Sequence, residues 1–338
     1  MMYFMNLQLF NNTNTTLTGS LSAEMKTYYD KDLLDNAEPE LVHRQFGQKR
    51  PLPKNGGKTI EFRSFSQLPK ALTALTEGVT PSGRALETNA ITATIEQYGD
   101  YVEVSDLLEL TSYDPIILEA NKLLGSQAGR TIDTITRNVI NSGTNVIYQA
   151  KSGGTAVTSR AGITKDCLLT IDTVFDAAAV LKAMNAPKID GSYVAIIHPY
   201  VARDFMIANR EAGSWIDVNK YADSTKIFEG EIGKVGGVRF VESSEAKIWA
   251  GGDSGAPSGV AVFSTLVVGA GAYGVTDLEG GGLEMFVKQL GSAGTADPLN
   301  QRATIGWKTN TVSEILAEEF MVRIESASSK SDKITASN

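Results

Sequence analysis

Gly252-Asp253-Ser254-Gly255-Ala256-Pro257 has the makings of a nucleophile loop, a serine hydroxyl between glycines and beside an aspartate. Acyl transfer through such a serine needs a histidine base and a buried aspartate that orients it. The chain has two histidines, His43 and His198. His43 falls in a helical arm and His198 in Ile196-Ile197-His198-Pro199-Tyr200, and neither has the surroundings of a triad base. A Gly/Ser/Asp surface turn accounts for the run.

Two phosphate-binding patterns fail in the same way. Gly269-Ala270-Gly271-Ala272-Tyr273-Gly274 follows an apolar strand, as a dinucleotide fingerprint does. A helix must start there so that its N-terminus can hold the pyrophosphate, yet the chain continues into Gly280-Gly281-Gly282 as a loop. Gly57-Lys58-Thr59 ends like a P-loop, but Leu52 stands where the first glycine belongs and a strand follows. Two histidines and the single Cys167 give no metal-ligand spacing and no disulfide framework. Cys167 reads as a small buried apolar residue, and Glu318-Glu319 as a solvated pair at the start of a terminal strand. No catalytic, cofactor-binding or metal residue is therefore expected.

One charged constellation stands out. Arg44, Lys49, Arg50, Lys54, Lys58 and Arg63 cluster with Glu61 alone against them. The arm before them is acidic: Glu24, Asp30, Asp32, Asp35, Glu38 and Glu40, offset by Lys26 and Lys31. These are either two solvated faces or two faces that meet across subunits, where complementarity sets register and partner choice.

The elements that must position these residues follow from periodicity. The 338 residues, 42% hydrophobic and 21% charged, suffice for one large or two medium domains with a real core. A net charge of −8 argues against a dedicated nucleic-acid binder. The N-terminus lacks the basic region of a signal peptide, and the uncharged run 260–275 is too short and glycine-rich for a membrane span. A soluble protein made in the cytoplasm is expected. An amphipathic helix is predicted over 22–35, in an arm too thin to bury itself.

Residues 59–63 and 92–104 alternate as strands around a turn-rich stretch, Glu77 to Gly83. Such a long two-stranded excursion needs a partner surface. Asp114-Pro115 supplies an N-cap and first-turn proline for a helix. Its apolar face is Ile116, Ala120, Leu124, Ala128, Ile132, Ile135 and Val139, and it closes at Asn141-Ser142-Gly143. Over about 27 residues it spans roughly 40 Å. Thr170 caps a second helix that ends near Pro187, and residues 199–209 form a third. Strands are predicted at 193–197, 238–241, 247–250, 260–268, 283–289, 302–308 and 315–325, and the tail 326–338 is expected to be disordered. The class is α+β.

Arm, extended excursion, spine helix, compact region and returning strands follow one another in an order that resembles the subunit of tailed-phage shells, the Hong Kong 97 capsid fold. Two motifs narrow the resemblance. Phe228-Glu229-Gly230-Glu231-Ile232-Gly233-Lys234-Val235-Gly236-Gly237-Val238-Arg239-Phe240-Val241-Glu242 is similar to the mid-chain signature of phage N4-like major capsid proteins. Asp297-Pro298-Leu299-Asn300-Gln301-Arg302, with Thr304 and Gly306-Trp307-Lys308, is similar to their terminal one. Met5-Asn6-Leu7-Gln8-Leu9-Phe10 is a familiar opening in such proteins and makes Met5 an alternative start.

The resemblance implies an N-terminal arm over 1–48, an E-loop over 49–104 reaching across a neighbour, and a P-domain over 105–165 with the spine helix. It further implies an A-domain over 166–294 and P-domain return strands over 295–325, but gives Arg302 and Trp307 no chemical role; as residue types, Trp307 fits a core anchor and Arg302 an ion pair beside it. The implied function is a non-enzymatic major capsid protein that self-assembles as hexamers and pentamers around double-stranded DNA, without sequence-specific binding or a membrane. A portal and a separate scaffold or decoration protein are implied partners, the virion the destination, and the host bacterial cytoplasm the place of assembly. The alternatives are an encapsulin-like nanocompartment shell, a tail-tube or decoration protein, and a serine hydrolase using Ser254.

Overall fold

The computed structural model describes residues 41–53, 56–65, 68, 70–75, 77–80, 82–111, 116–209, 216–217, 228, 230–277, 282–290, 292 and 297–338. The acidic arm with its helix over 22–35, Lys54 and the Asp114-Pro115 cap lie outside these residues.

The chain begins with β1 (Gln48–Lys49), β2 (Thr59–Phe65), β3 (Thr88–Thr94) and β4 (Glu96–Ser105), then the short α1 (Asp106–Thr111) and the long α2 (Ile116–Ile140). There follow β5 (Val146–Tyr148), α3 (Ile171–Ala183), β6 (Tyr193–Ile197), α4 (Pro199–Asn209) and β7 (Ile216–Asp217). The rest is strand: β8 (Glu231–Val235), β9 (Val238–Glu242), β10 (Ile248–Trp249), β11 (Val262–Val268), β12 (Tyr273–Asp277), β13 (Glu284–Lys288), β14 (Arg302–Ile315) and β15 (Met321–Ser326). This is the expected α+β class.

The chain forms two compact units, a smaller one from 97–134 with 281–310 and a larger one from 42–96, 135–280 and 311–338. In the larger unit an eight-stranded sheet runs β5-β15-β11-β6-β9-β8-β7, with β10 joined to β11. Its central strands are buried on both faces: every residue of β6 and β11 is buried, β6 being an unbroken apolar run and β11 apolar but for Ser264 and Thr265. One face packs with α3 and α4 into a core that includes Val174, Leu181, Tyr193, Phe205, Phe240 and Phe263. The other, with Val194, Ile196, Leu266 and Val268, closes over Ile140, Tyr273 and Phe46. Thr170 caps α3 as predicted, its hydroxyl accepting the Thr173 amide at 3.4 Å. β2 and β3 pair antiparallel along their full length, Thr59 with Thr94 through Phe65 with Thr88.

In the smaller unit β14 pairs with β13, Trp307 opposite Met285, and with β4. Ala120, Leu124 and Ala128 of α2 pack on Met285, Ile305 and Trp307. β4 and β14 come so close that a side chain on either glycine would collide: a Cβ on Gly99 would stand 2.6 Å from Trp307 O, and one on Gly306 2.8 Å from Asp100 O.

Two expectations change. The strands predicted at 302–308 and 315–325 are instead one 14-residue strand to Ile315 and a second from Met321, because in-out alternation continues through Lys308–Glu314 and breaks at a 3-10 turn, Glu318–Phe320. The tail 326–338 is not disordered. Ser326, Ser328 and Ser331 are buried, because serine and asparagine side chains that read as disorder in sequence here bond main-chain groups of the larger unit.

Candidate functional site

The catalytic candidates are each engaged by their own surroundings. Ser254 sits on an exposed 3-10 turn at φ 48°, its hydroxyl donating to Asp253 Oδ1 at 3.2 Å. Hydrogen bonds from Ser337 and Ser254 hold the Asp253 carboxyl below its ordinary range. His198 is packed against Phe263 and Tyr200, ring centroids 4.9 and 5.2 Å away, and its Nδ1 accepts the Tyr200 amide at 3.1 Å. Burial pushes its pKa down to about 4. The hydroxyl a hydrolase needs is thus committed to its neighbour, and the imidazole is held neutral among aromatic rings.

Both phosphate-like runs lead into strands rather than helices: β2 starts at Thr59, and Gly271, at φ +75°, turns the chain from β11 into β12. Cys167 is buried, and Glu318 accepts the Thr144 hydroxyl at 2.5 Å. Among the described residues no group of three or more His, Cys, Asp or Glu could hold a metal, and no helix is long and apolar enough to cross a membrane.

The basic constellation divides. Arg44 is buried in its own chain, bonded to Asp277 and, at 3.0 Å, to the Thr311 hydroxyl. This pins the chain ahead of β1, which pairs parallel with β12, Gln48 beside Gly274. Lys49, Arg50, Lys58 and Arg63 face outward. Arg50 lies 5.8 Å from the Phe62 ring, and Arg63 forms a two-armed pair with Glu61 at 3.0 Å.

The terminal motif builds a corner of the smaller unit. Asp297 Oδ2 accepts the Arg302 amide at 2.8 Å, and its carbonyl accepts the Asn300 amide at 3.1 Å, with Asn300 at φ 55°. Pro298 is exposed, and the Gln301 carbonyl accepts the Asp106 amide at the start of α1 at 3.0 Å. The Arg302 guanidinium stands 3.9 Å from Glu103 at the surface. Trp307 is buried, and its indole donates to Gln127 Oε1 at 3.2 Å while Gln127 Nε2 donates to Asp100 at 2.6 Å.

The mid-chain motif makes a buried clamp that residue types alone did not announce. Arg239 pairs with Glu231, Nε to Oε1 at 2.7 Å, and its guanidinium lies 3.9 Å over the Phe228 ring. Phe46 meets that ring edge-on at 5.1 Å. A second missed feature is apolar and outward: Leu107, Leu110, Leu123 and Leu299 of the smaller unit are each more than two-thirds exposed. The run Leu107-Leu108-Glu109-Leu110, apolar on more than one side of a six-residue helix, was the available signal.

Turns, a buried clamp and outward leucines are what the two motifs and the smaller unit's surface build. A family model described as "Phage capsid protein" matches residues 21–289. The chain belongs to the phage capsid protein family. No curated protein matches it in sequence. Among solved structures it is similar to the capsid of Ralstonia phage GP4, with a TM-score of 0.67 and 13% identity over 96% of this chain and 98% of that one. It is similar to the capsid of cyanophage P-SCSP1u at 0.60 and 19%, over 94% and 93%. The cyanophage Pam1 capsid gives 0.61 and 14%, over 97% and 100%. At these identities the likeness establishes the fold, the Hong Kong 97 type expected from the order of elements. A phage capsid protein is a structural component of the virion that associates with copies of itself.

Proposed function

We propose that this phage capsid protein is the major subunit of an icosahedral shell around the double-stranded DNA of a tailed phage, within the N4-like group. The observation that carries this reading is the outward apolar surface of the smaller unit, Leu107, Leu110, Leu123 and Leu299; in the larger unit the excursion separately exposes Leu72, Leu75 and Leu86. Leucines exposed together on one short helix, as Leu107, Leu108 and Leu110 are on α1, mark an interaction site. In a closed symmetric shell many modest contacts add by avidity. The division into N-arm, E-loop, P-domain and A-domain stands with this reading, except for the tail corrected above. Lys49, Arg50, Lys58 and Arg63 are then contacts to a neighbour, whereas Arg44 braces the root of the arm. An acidic subunit suits a container that must not grip its DNA. A portal and a separate scaffold or decoration protein are the remaining partners, with assembly in the host cytoplasm.

The test is expression of the chain alone, followed by light scattering and negative-stain electron microscopy. Closed shells or rings of five and six subunits are expected. A monomer that persists even with the neighbouring phage proteins added would overturn the proposal.

A further inference from the structure

Strand β10 pairs with β11 along one side, Ile248 with Phe263 and Trp249 with Val262. A strand's other side, left open, presents amides and carbonyls on which an extended segment of another chain can build. Here Ser337 and Asn338, at the end of the segment 328–338, fill that side, and they do so with side chains. The Ile248 amide donates to Asn338 Oδ1 at 2.8 Å and the Ala250 amide to Ser337 Oγ at 2.9 Å. In return Asn338 Nδ2 donates to Ala246 O at 3.0 Å, and Ser337 Oγ to Ala250 O at 3.4 Å.

Further up the segment Ser331 is paired with Ala261 in both directions, the Ala261 amide to Ser331 O at 3.1 Å and the Ser331 hydroxyl to Ala261 O at 2.8 Å. Asp204 of α4 takes three bonds, from the Ser328 hydroxyl at 2.8 Å, the Ser329 amide at 2.7 Å and the Ser329 hydroxyl at 2.8 Å. Lys165 holds Asp332 at 3.1 Å.

Ile334 is the one large apolar side chain in the segment, and it packs against the larger unit's core. Everything else holding the segment exchanges with water, bond for bond, so each contact contributes modestly and the whole can lift. The edge it covers is nonetheless selective. Its donors and acceptors are matched by a serine and an asparagine in sequence, and its upstream anchors by serines at 328, 329 and 331.

We propose that the outer edge of β10 is a segment-exchange site kept closed by the chain's own residues 328–338, whose occupant once it opens is the same segment of a second copy, held by the same side-chain bonds. The segment is then a guard in its own molecule and a link between molecules when exchanged.

The experiment compares the full-length chain with two full-length variants, Ser337→Ala/Asn338→Ala and Asp204→Ala, and uses a fluorescent peptide of sequence 328–338 as probe. Trypsin cutting after Lys330 and Lys333 reports how often the guard lifts. We expect cutting at least several-fold faster in the double variant, with the melting midpoint of the remainder kept. The peptide should bind the double variant at concentrations where it ignores the parent, and a peptide carrying the same two alanines should bind neither. Unchanged cutting would overturn the proposal, and so would fast cutting without peptide binding. Should Asp204→Ala fail to fold, the double variant decides alone, since Ser337 and Asn338 lie outside the buried core.

Discussion

The larger and smaller units solve the burial problem differently. The larger covers its sheet on both faces and neutralises the charges it buries. Glu325, fully buried, receives Arg160 through both arms at 2.8 and 2.6 Å and Arg323 at 3.0 Å. Arg160 lies 3.6 Å over Trp249, and Arg323 also bonds the Asn141 and Gly143 carbonyls at the end of α2, where a helix leaves acceptors unsatisfied. The smaller unit has a core centred on Trp307 and Met285, and turns Tyr101, Leu107, Leu110, Leu123 and Leu299 to solvent. The larger unit's sheet is covered within the chain, and its most exposed leucines, Leu72, Leu75 and Leu86, lie on the excursion. The smaller unit exposes its leucines on α1 and α2, the helices that flank its core, and this is apolar surface that a shell subunit can cover by association.

The comparison can be broken first at Glu325. Glu325→Ala strands two guanidinium groups in the interior, a defect that costs about 3–5 kcal/mol. Thermal unfolding should show the larger unit's transition falling by that amount. A midpoint within a degree or two of the parent would mean that water already reaches the pair.

Trp307→Ala is the matching cut in the smaller unit, costing about 3–5 kcal/mol through lost burial and the cavity left behind. Hydrogen exchange should quicken in the amides of α2 before residue 134 and of β13, while β6, β9 and β11 keep their protection. Uniform loss across both sets would show that the units fold as one and that the contrast drawn between them is false.

A smaller effect belongs to pH. His198 titrates near 4 when folded, because burial disfavours its charge, against an ordinary 6.5. Above pH 6.5 both folded and unfolded chains are neutral at this residue, so it has no influence there. As pH falls, the unfolded chain takes the proton first, and stability declines by up to roughly 3 kcal/mol on reaching pH 4. His198→Gln, which keeps an acceptor for the Tyr200 amide, should flatten that part of the pH profile. An equally steep decline in the variant would place the sensitivity on other groups.

How legible all this was depended on where the determining information lies. α2, α3 and the central strands were readable because Ile132 or Val267 answers to periodicity, a local property. The continuity of β14 through residues 309–314 was not, since its alternating Thr309, Thr311 and Ser313 are buried yet polar. Their reason for being inside is a partner elsewhere in the chain: Ser313 meets the Thr136 hydroxyl at 2.8 Å, and Thr311 meets Arg44. Arg44 itself read as one of six similar cations, and Asp277 and Thr311, far along the chain, separate it from the others. The tail misled for the same reason. Ser337 and Asn338 are composed like disorder, and what orders them is an edge formed by residues 246–250.

The finest test of the contrast leaves the fold nearly untouched. Leu107 and Leu110 are 67% and 82% exposed on α1, so Leu107→Glu/Leu110→Glu removes little that the single chain buries. Stability of the isolated subunit should stay within about 1 kcal/mol, as for other surface changes away from caps and buried pairs. Association is where the pair counts. A leucine buried against a neighbour contributes about 1.5–3 kcal/mol, and placing a carboxylate there adds a desolvation cost. Each 1.4 kcal/mol weakens a contact tenfold, and a closed shell repeats the loss at every equivalent position. Sedimentation of the variant should therefore show free subunits at concentrations where the parent forms particles. If particles form at the parental concentration, these leucines face solvent in the assembly, and the smaller unit must be completed through Leu123 and Leu299 instead.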